Sequence, residues 1–184
     1  MTILPFVGTA QTHPDRLSLG FNLSGSGFSH IQGAAPVIGP ELRARWEFSD
    51  VSAIEAAASI AEFRQDFDTP NGLSSLDLQS WWAEVGFAHQ ILMIGESLGL
   101  HGNLGGGITT VHRPEVSIPL GALGTTTVPA TTDSRAHLTA GIRLAQDVLE
   151  MITLNIGTSF RLLSPLSEPE LGYSVFGGFS IEVL

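Results

Sequence analysis

Arg16-Leu-Ser-Leu-Gly-Phe-Asn-Leu-Ser24 holds the pattern from which the rest of the chain is read. Leu17, Leu19, Phe21 and Leu23 fall on one side of an extended backbone, and Ser18, Gly20, Asn22 and Ser24 on the other. Side chains alternate across a strand with period two, so the stretch reads as a strand with one apolar and one small polar face. The next such stretch sharpens the contrast. Leu42, Ala44, Trp46 and Phe48 alternate with Glu41, Arg43, Arg45 and Glu47. Between them Gly33 to Pro40, with Pro36, Gly39 and Pro40, reads as a connection, which makes the two stretches an antiparallel pair.

The second half repeats the theme. Leu138, Ala140, Ile142 and Leu144 face away from Thr139, Gly141 and Arg143. Ile152, Leu154, Ile156, Phe160 and Leu162 oppose Thr153, Asn155, Gly157, Ser159 and Arg161. Tyr173, Val175, Phe179, Ile181 and Val183 oppose Ser174, Gly178, Ser180 and Glu182, with Pro165 and Pro169 breaking the chain before them. Residues 136–156 also fit a helical spacing through Leu138, Ile142, Ala145, Leu149, Ile152 and Ile156. Strands are preferred there. Thr and β-branched residues are dense, and Gly141 and Gly157 would each cost a helix about 1 kcal/mol.

The middle of the chain reads differently. Ser52 and Glu55 fit a capping box, and Ala56, Ile60, Phe63 and Phe67 then share one helical face, giving a helix over Asp50 to Phe67. Asp68 to Gly72 is a turn. A second helix starts at Ser75, with Asp77 in its first turn and an apolar stripe of Leu78, Trp81, Trp82, Val85 and His89. Residues 90–100 are open between helix and strand, although Leu98, Leu100, Leu104 and Ile108 alternate as in a strand. Ser117 to Thr132 is rich in Thr, Pro and Gly and reads as an extended loop or arm. The expected fold is therefore α+β and mainly β: antiparallel sheets, as a sandwich or barrel, with a two-helix insert around residues 50–90, in a single domain over residues 1–184.

Composition narrows the function classes. Only 14% of the 184 residues are charged, against about 25% in an average soluble domain, while 43% are hydrophobic. A surface with so little charge is hidden in an assembly or faces lipid. The net charge of −10 argues against nucleic acid as a partner, which demands clustered basic residues. There is no cysteine, so disulfides, thiolate metal sites and thiol nucleophiles are excluded. Met1 to Gly8 lacks the basic and apolar regions of a signal peptide. No run approaches the roughly 18 apolar residues of a membrane helix, which leaves a membrane β-barrel open.

One motif carries a reaction. Gly95-Glu-Ser-Leu-Gly99 matches G-x-S-x-G, the elbow that presents a nucleophilic serine. With the apolar Ile91 to Ile94 before it and His112 to Val116 after it, the stretch resembles the middle of an α/β-hydrolase, and the resemblance implies Ser97 as nucleophile. Opposing it, the helix that should follow would hold Gly102, Gly105, Gly106 and Gly107, and Asp133 and His137 lie only four positions apart. His101, His112 and His137 show no metal-ligand spacing. Gly102 to Gly107 lacks the Lys of a phosphate loop. No metal ligand and no cofactor-binding residue is assigned, and no cofactor is expected.

The leading expectation is a structural, self-assembling homo-oligomer, such as a virion, tail-tube or shell component located in a virion or the cytoplasm. Its partner would be further copies of itself, with no direct nucleic-acid binding. The alternatives are a transmembrane β-barrel of an outer membrane, with the bilayer as partner, and a serine hydrolase acting through Ser97.

Overall fold

A computed structural model describes residues 15–28, 37–69, 72–95, 97–119, 124–164, 166 and 169–183. Alternation organises nearly all of them. The strands are β1 (Arg16–Phe28), β2 (Val37–Ser49), β3 (Ser52–Thr69), β4 (Gly72–Ile94), β5 (Leu98–Arg113), β6 (Val116–Pro119), β7 (Thr125–Val128), β8 (Thr131–Leu149), β9 (Ile152–Leu163) and β10 (Glu170–Glu182). The sheet closes on itself in the order β1-β10-β9-β8-β5-β4-β3-β2. Every neighbouring pair is antiparallel. Closure through β1 and β10 leaves no strand edge, which removes the template for unwanted pairing that an open sheet presents. β6 and β7 form a separate hairpin.

The two ends of the barrel differ. Short turns at residues 50–51, at Gly95 and Ser97, and at residues 150–151 lie at one end, together with Asp15 and Val183. Gly95 makes the β4–β5 turn with a φ of 68°, a left-handed conformation that glycine adopts without steric cost. The connections β1–β2, β3–β4, β5–β8 and β9–β10 lie at the other end, and the β5–β8 connection carries the β6–β7 hairpin.

The two-helix insert is not present. Residues 52–69 and 72–94 are the antiparallel pair β3 and β4, in register from Ser52↔His89 to Thr69↔Gly72. The reason lies in alanine. On β3 the inward face is Ala53, Glu55, Ala57, Ser59, Ala61 and Phe63, and the outward face is Ile54, Ala56, Ala58 and Ile60. Alanine occupies both faces, so the period-two signal is faint, and the high helix propensity of Ala fills the gap. Pairing with β2 and β4 overrides that propensity. The residues of the expected capping box serve the sheet instead: Ser52 Oγ lies 3.0 Å from His89 Nδ1, and Glu55 points into the barrel. Trp81 and Trp82, placed together on one apolar stripe, separate across the strand, at 45% and 3% exposure.

The sandwich alternative is likewise replaced by a closed barrel. Residues 91–94 extend β4, residues 98–100 open β5, and residues 136–156 are strands β8 and β9 joined by a turn, as preferred from the sequence. The expected arm at Ser117 to Thr132 contains β6, β7 and the start of β8. Met1 to Gly8, residues 33–36 of the expected first connection, residues 70–71 of the expected turn, and Pro165 lie outside the described residues. The glycine run of β5 is a close approach between strands: a Cβ added at Gly107 would run into the carbonyl oxygen of Ala83.

Candidate functional site in the barrel lumen

Eight strands enclose a space that side chains can just fill, and the inward faces fill it with charge. Glu41, Arg43, Arg45, Glu55, Glu84, Arg143 and Arg161 are all buried. Glu55 lies at the centre. Its Oε1 meets Arg45 Nη1 at 2.6 Å and Arg143 Nη1 at 2.7 Å, and its Oε2 meets Arg43 Nη1 at 2.9 Å. Arg43 Nη2 also donates to Glu41 at 2.9 Å, and Asn22 Nδ2 donates to the same carboxylate oxygen. A second group forms around Glu84, whose Oε2 accepts from Arg161 Nε at 2.9 Å and lies 3.3 Å from His137 Nε2.

Aromatic rings cap these groups. The Arg161 guanidinium stands 3.7 Å above the Trp82 ring, and that of Arg43 stands 4.6 Å from the Phe176 ring centre. Towards the end with the longer connections, Phe63, Leu78 and Ala61 form a small apolar plug. Between the ionic groups the free space shrinks to about 10 Å³, lined by Glu55, Glu84 and Asn103 among others. Such a volume holds about one water at most. Towards the short turns the lumen widens into a polar cavity of about 230 Å³.

The outer face carries the opposite chemistry. Leu23, Val85, Leu104 and Phe160 are 65%, 60%, 67% and 52% exposed, whereas Glu41 is 1% exposed. On β2 the outward run from Ile38 to Phe48 matches the roughly 9–11 residues with which a tilted strand crosses a bilayer. Apolar residues face outward on all eight strands of the barrel.

The residues singled out from the sequence are dispersed. Ser97 lies in the β4–β5 turn, where its Oγ accepts a hydrogen bond from Gln146 Nε2 at 2.7 Å, and the segment that follows is strand β5 rather than a helix. His101 and His137 point into the lumen, with His137 Nδ1 3.0 Å from Thr109 Oγ1. His112 is exposed beside Thr132, and Asp133 pairs with Arg135. The lumen network went unread because Glu55 and Glu84 sat in the expected helices. A signal was nevertheless present: Arg43, Arg45, Arg143 and Arg161 all fall on the strand face opposite the apolar residues.

No protein-family model and no curated protein matches the chain. Solved structures do. The chain is similar to a major outer membrane protein from Thermus thermophilus, with a TM-score of 0.64 and 11% identity over 93% of this chain and 100% of that one. It is similar to the outer membrane protein OprG from Pseudomonas aeruginosa, with a TM-score of 0.60 and 11% identity over 94% and 97%. It is also similar to Ail, the attachment invasion locus protein of Yersinia pestis, solved with the heparin analogue sucrose octasulfate, with a TM-score of 0.53 and 17% identity over 91% and 97%. The expected viral protein and the β-sandwich are corrected: the solved structures that this chain resembles are bacterial outer membrane proteins, and its sheet closes into an eight-stranded barrel. At these identities the likeness is one of fold.

Proposed function

We propose that this chain is a transmembrane β-barrel of a bacterial outer membrane, closed to the passage of solutes, which displays its longer connections on the outer side. The observation that carries the reading is the inverted polarity of the barrel: an apolar face on all eight strands and a charged interior. The largest apolar patch on a soluble monomer is about 300–600 Å², and a belt running around a barrel exceeds that. Lipid covers such a belt without a second copy of the chain, so the low charge content no longer calls for self-assembly. Short turns at one end and, apart from the two-residue β3–β4 link, longer connections at the other match the periplasmic and external sides of outer-membrane barrels, and the similar folds support the same membrane. The buried ion pairs and the Phe63–Leu78 plug support a lumen that does not conduct.

The end with the longer connections is acidic. Glu62, Asp77, Glu115, Asp133 and Glu170 belong to it, against Arg64, Arg113 and Arg135. A sulfated ligand like that of Ail is therefore a poor match, and a cationic partner a better one.

The test is insertion into preformed phospholipid vesicles. The expected result is a β-type circular dichroism spectrum, protection of the barrel strands from added protease, and no release of entrapped small solutes. A chain that stays monomeric in buffer without detergent, or that leaks solutes at porin-like rates, would overturn the reading.

A further inference from the structure

The cavity of about 230 Å³ at the short-turn end is built unlike the rest of the lumen. Arg45, Arg143 and His101 form its roof, and Arg16, Glu47, Asp50 and Asp147 line its mouth. The roof is rich in donors. Both oxygens of Glu55 are already engaged by the three arginines around it. Arg143 is 7% exposed and meets that carboxylate through Nη1.

His101 is 9% exposed, and its Nδ1 lies 3.5 Å from Arg45 Nη2, an atom that only donates. The ring therefore accepts at Nδ1, and its proton is assigned to Nε2. That nitrogen stands on the side of Gly99, another residue of the cavity wall, where an added Cβ would come within 2.7 Å of it. The buried layer above the cavity holds Arg43, Arg45 and Arg143 against Glu41 and Glu55, three positive charges against two negative. Glu47, paired with Arg45 at 2.7 Å, sits at the mouth with 36% of its side chain exposed, where solvent screens it.

Convergent N–H donors at the buried end of a cavity that opens only towards the short turns are what an oxyanion requires. We infer that this cavity is a binding site for a small oxyanion of phosphate size, held by Arg143, Arg45 and the Nε2–H of His101 and entered from the short-turn end. Which side of a membrane the site faces rests on the barrel reading above. Binding itself does not, because it is measured in micelles, where failure to insert into vesicles would be seen separately.

The experiment titrates inorganic phosphate into the full chain folded in detergent micelles, with chloride at equal ionic strength as control. Amide chemical shifts and calorimetry are the readouts. Saturable shifts are expected at Gly99, His101, Arg143 and Ala145. His101→Leu should weaken binding by about tenfold or more, the loss expected when one hydrogen bond to a charged group is removed, and Ala145→Phe should abolish saturable binding by filling the cavity. Ala145→Phe occupies the cavity without breaking an ion pair, so it stays informative should His101→Leu disturb the roof. Glycerol phosphate in place of inorganic phosphate distinguishes a lipid headgroup from the free ion, and binding of either supports the site. Absence of saturable shifts well above millimolar phosphate would overturn the inference, as would phosphate binding that both variants leave unchanged.

Discussion

At the scale of single residues, the lumen is held by groups that cannot be removed one at a time. Glu55 balances Arg43, Arg45 and Arg143. Breaking a buried ion pair by deleting one partner typically costs about 3–5 kcal/mol, because the charge left behind stays buried. Glu55→Ala is therefore expected to lower the unfolding free energy by about that amount, read from a urea titration of tryptophan fluorescence in micelles. Backbone contacts set a second constraint. Gly107→Ala places a methyl group against the carbonyl of Ala83 and should prevent refolding of the barrel. Gly177→Ala, where the nearest atom, the Asn155 carbonyl oxygen, is 3.7 Å from the new Cβ, should refold with stability within about 1 kcal/mol of the parent. Measuring refolding yield for both variants side by side checks the register of β4 on β5.

At the scale of the strand, each element carries two environments that differ by one residue. Trp46 and Trp81 face outward at 45% exposure each, and Trp82 is buried against Arg161. In vesicles containing bromine-labelled acyl chains, quenching should fall on Trp46 and Trp81, and the double variant Trp46→Phe/Trp81→Phe should retain a Trp82 signal that lipid bromine hardly quenches. Depth along a strand should be legible as well. Val85→Arg, in the middle of the outward face of β4, is expected to cost about 2–4 kcal/mol in a bilayer, and Gln79→Arg, towards the end with the longer connections, about 0–1 kcal/mol. Equal costs at the two positions would contradict the proposed span. β3 and β4 are also where reading the sequence failed. Ala56, Ile60, Phe63 and Phe67 satisfy a helical stripe, yet Ile60 and Phe63 lie on opposite faces of β3. Local propensity decided the reading, and hydrogen bonding to strands on both sides decided the structure.

At the scale of the whole molecule, buried ion pairs around Glu55 and Glu84 fill the middle of the lumen and leave a void of about 10 Å³ between them. The barrel should consequently show no steady single-channel conductance in a planar bilayer, and an open, ohmic channel would contradict the plugged interior. Much of this molecule is legible in its sequence. Strands β1, β2 and β10 follow from alternation, which separates Leu17, Leu19 and Phe21 from Ser18, Gly20 and Asn22, while β8 and β9 needed the density of Thr and β-branched residues to set strand above helix. The shortage of charge already pointed to hidden or lipid-facing surface. Two decisions belong to the tertiary structure. Alternation defines two faces without saying which one meets the core, and only the pairing of β1 with β10 turns the polar faces inward and the apolar faces out. The lumen network depends on the same closure. Arg161 and Glu84 are 77 positions apart, and Arg45 and His101 are 56 apart, so no local pattern joins them. The side chains alternate by covalent geometry, and they meet only because the sheet curves until its first and last strands hydrogen-bond.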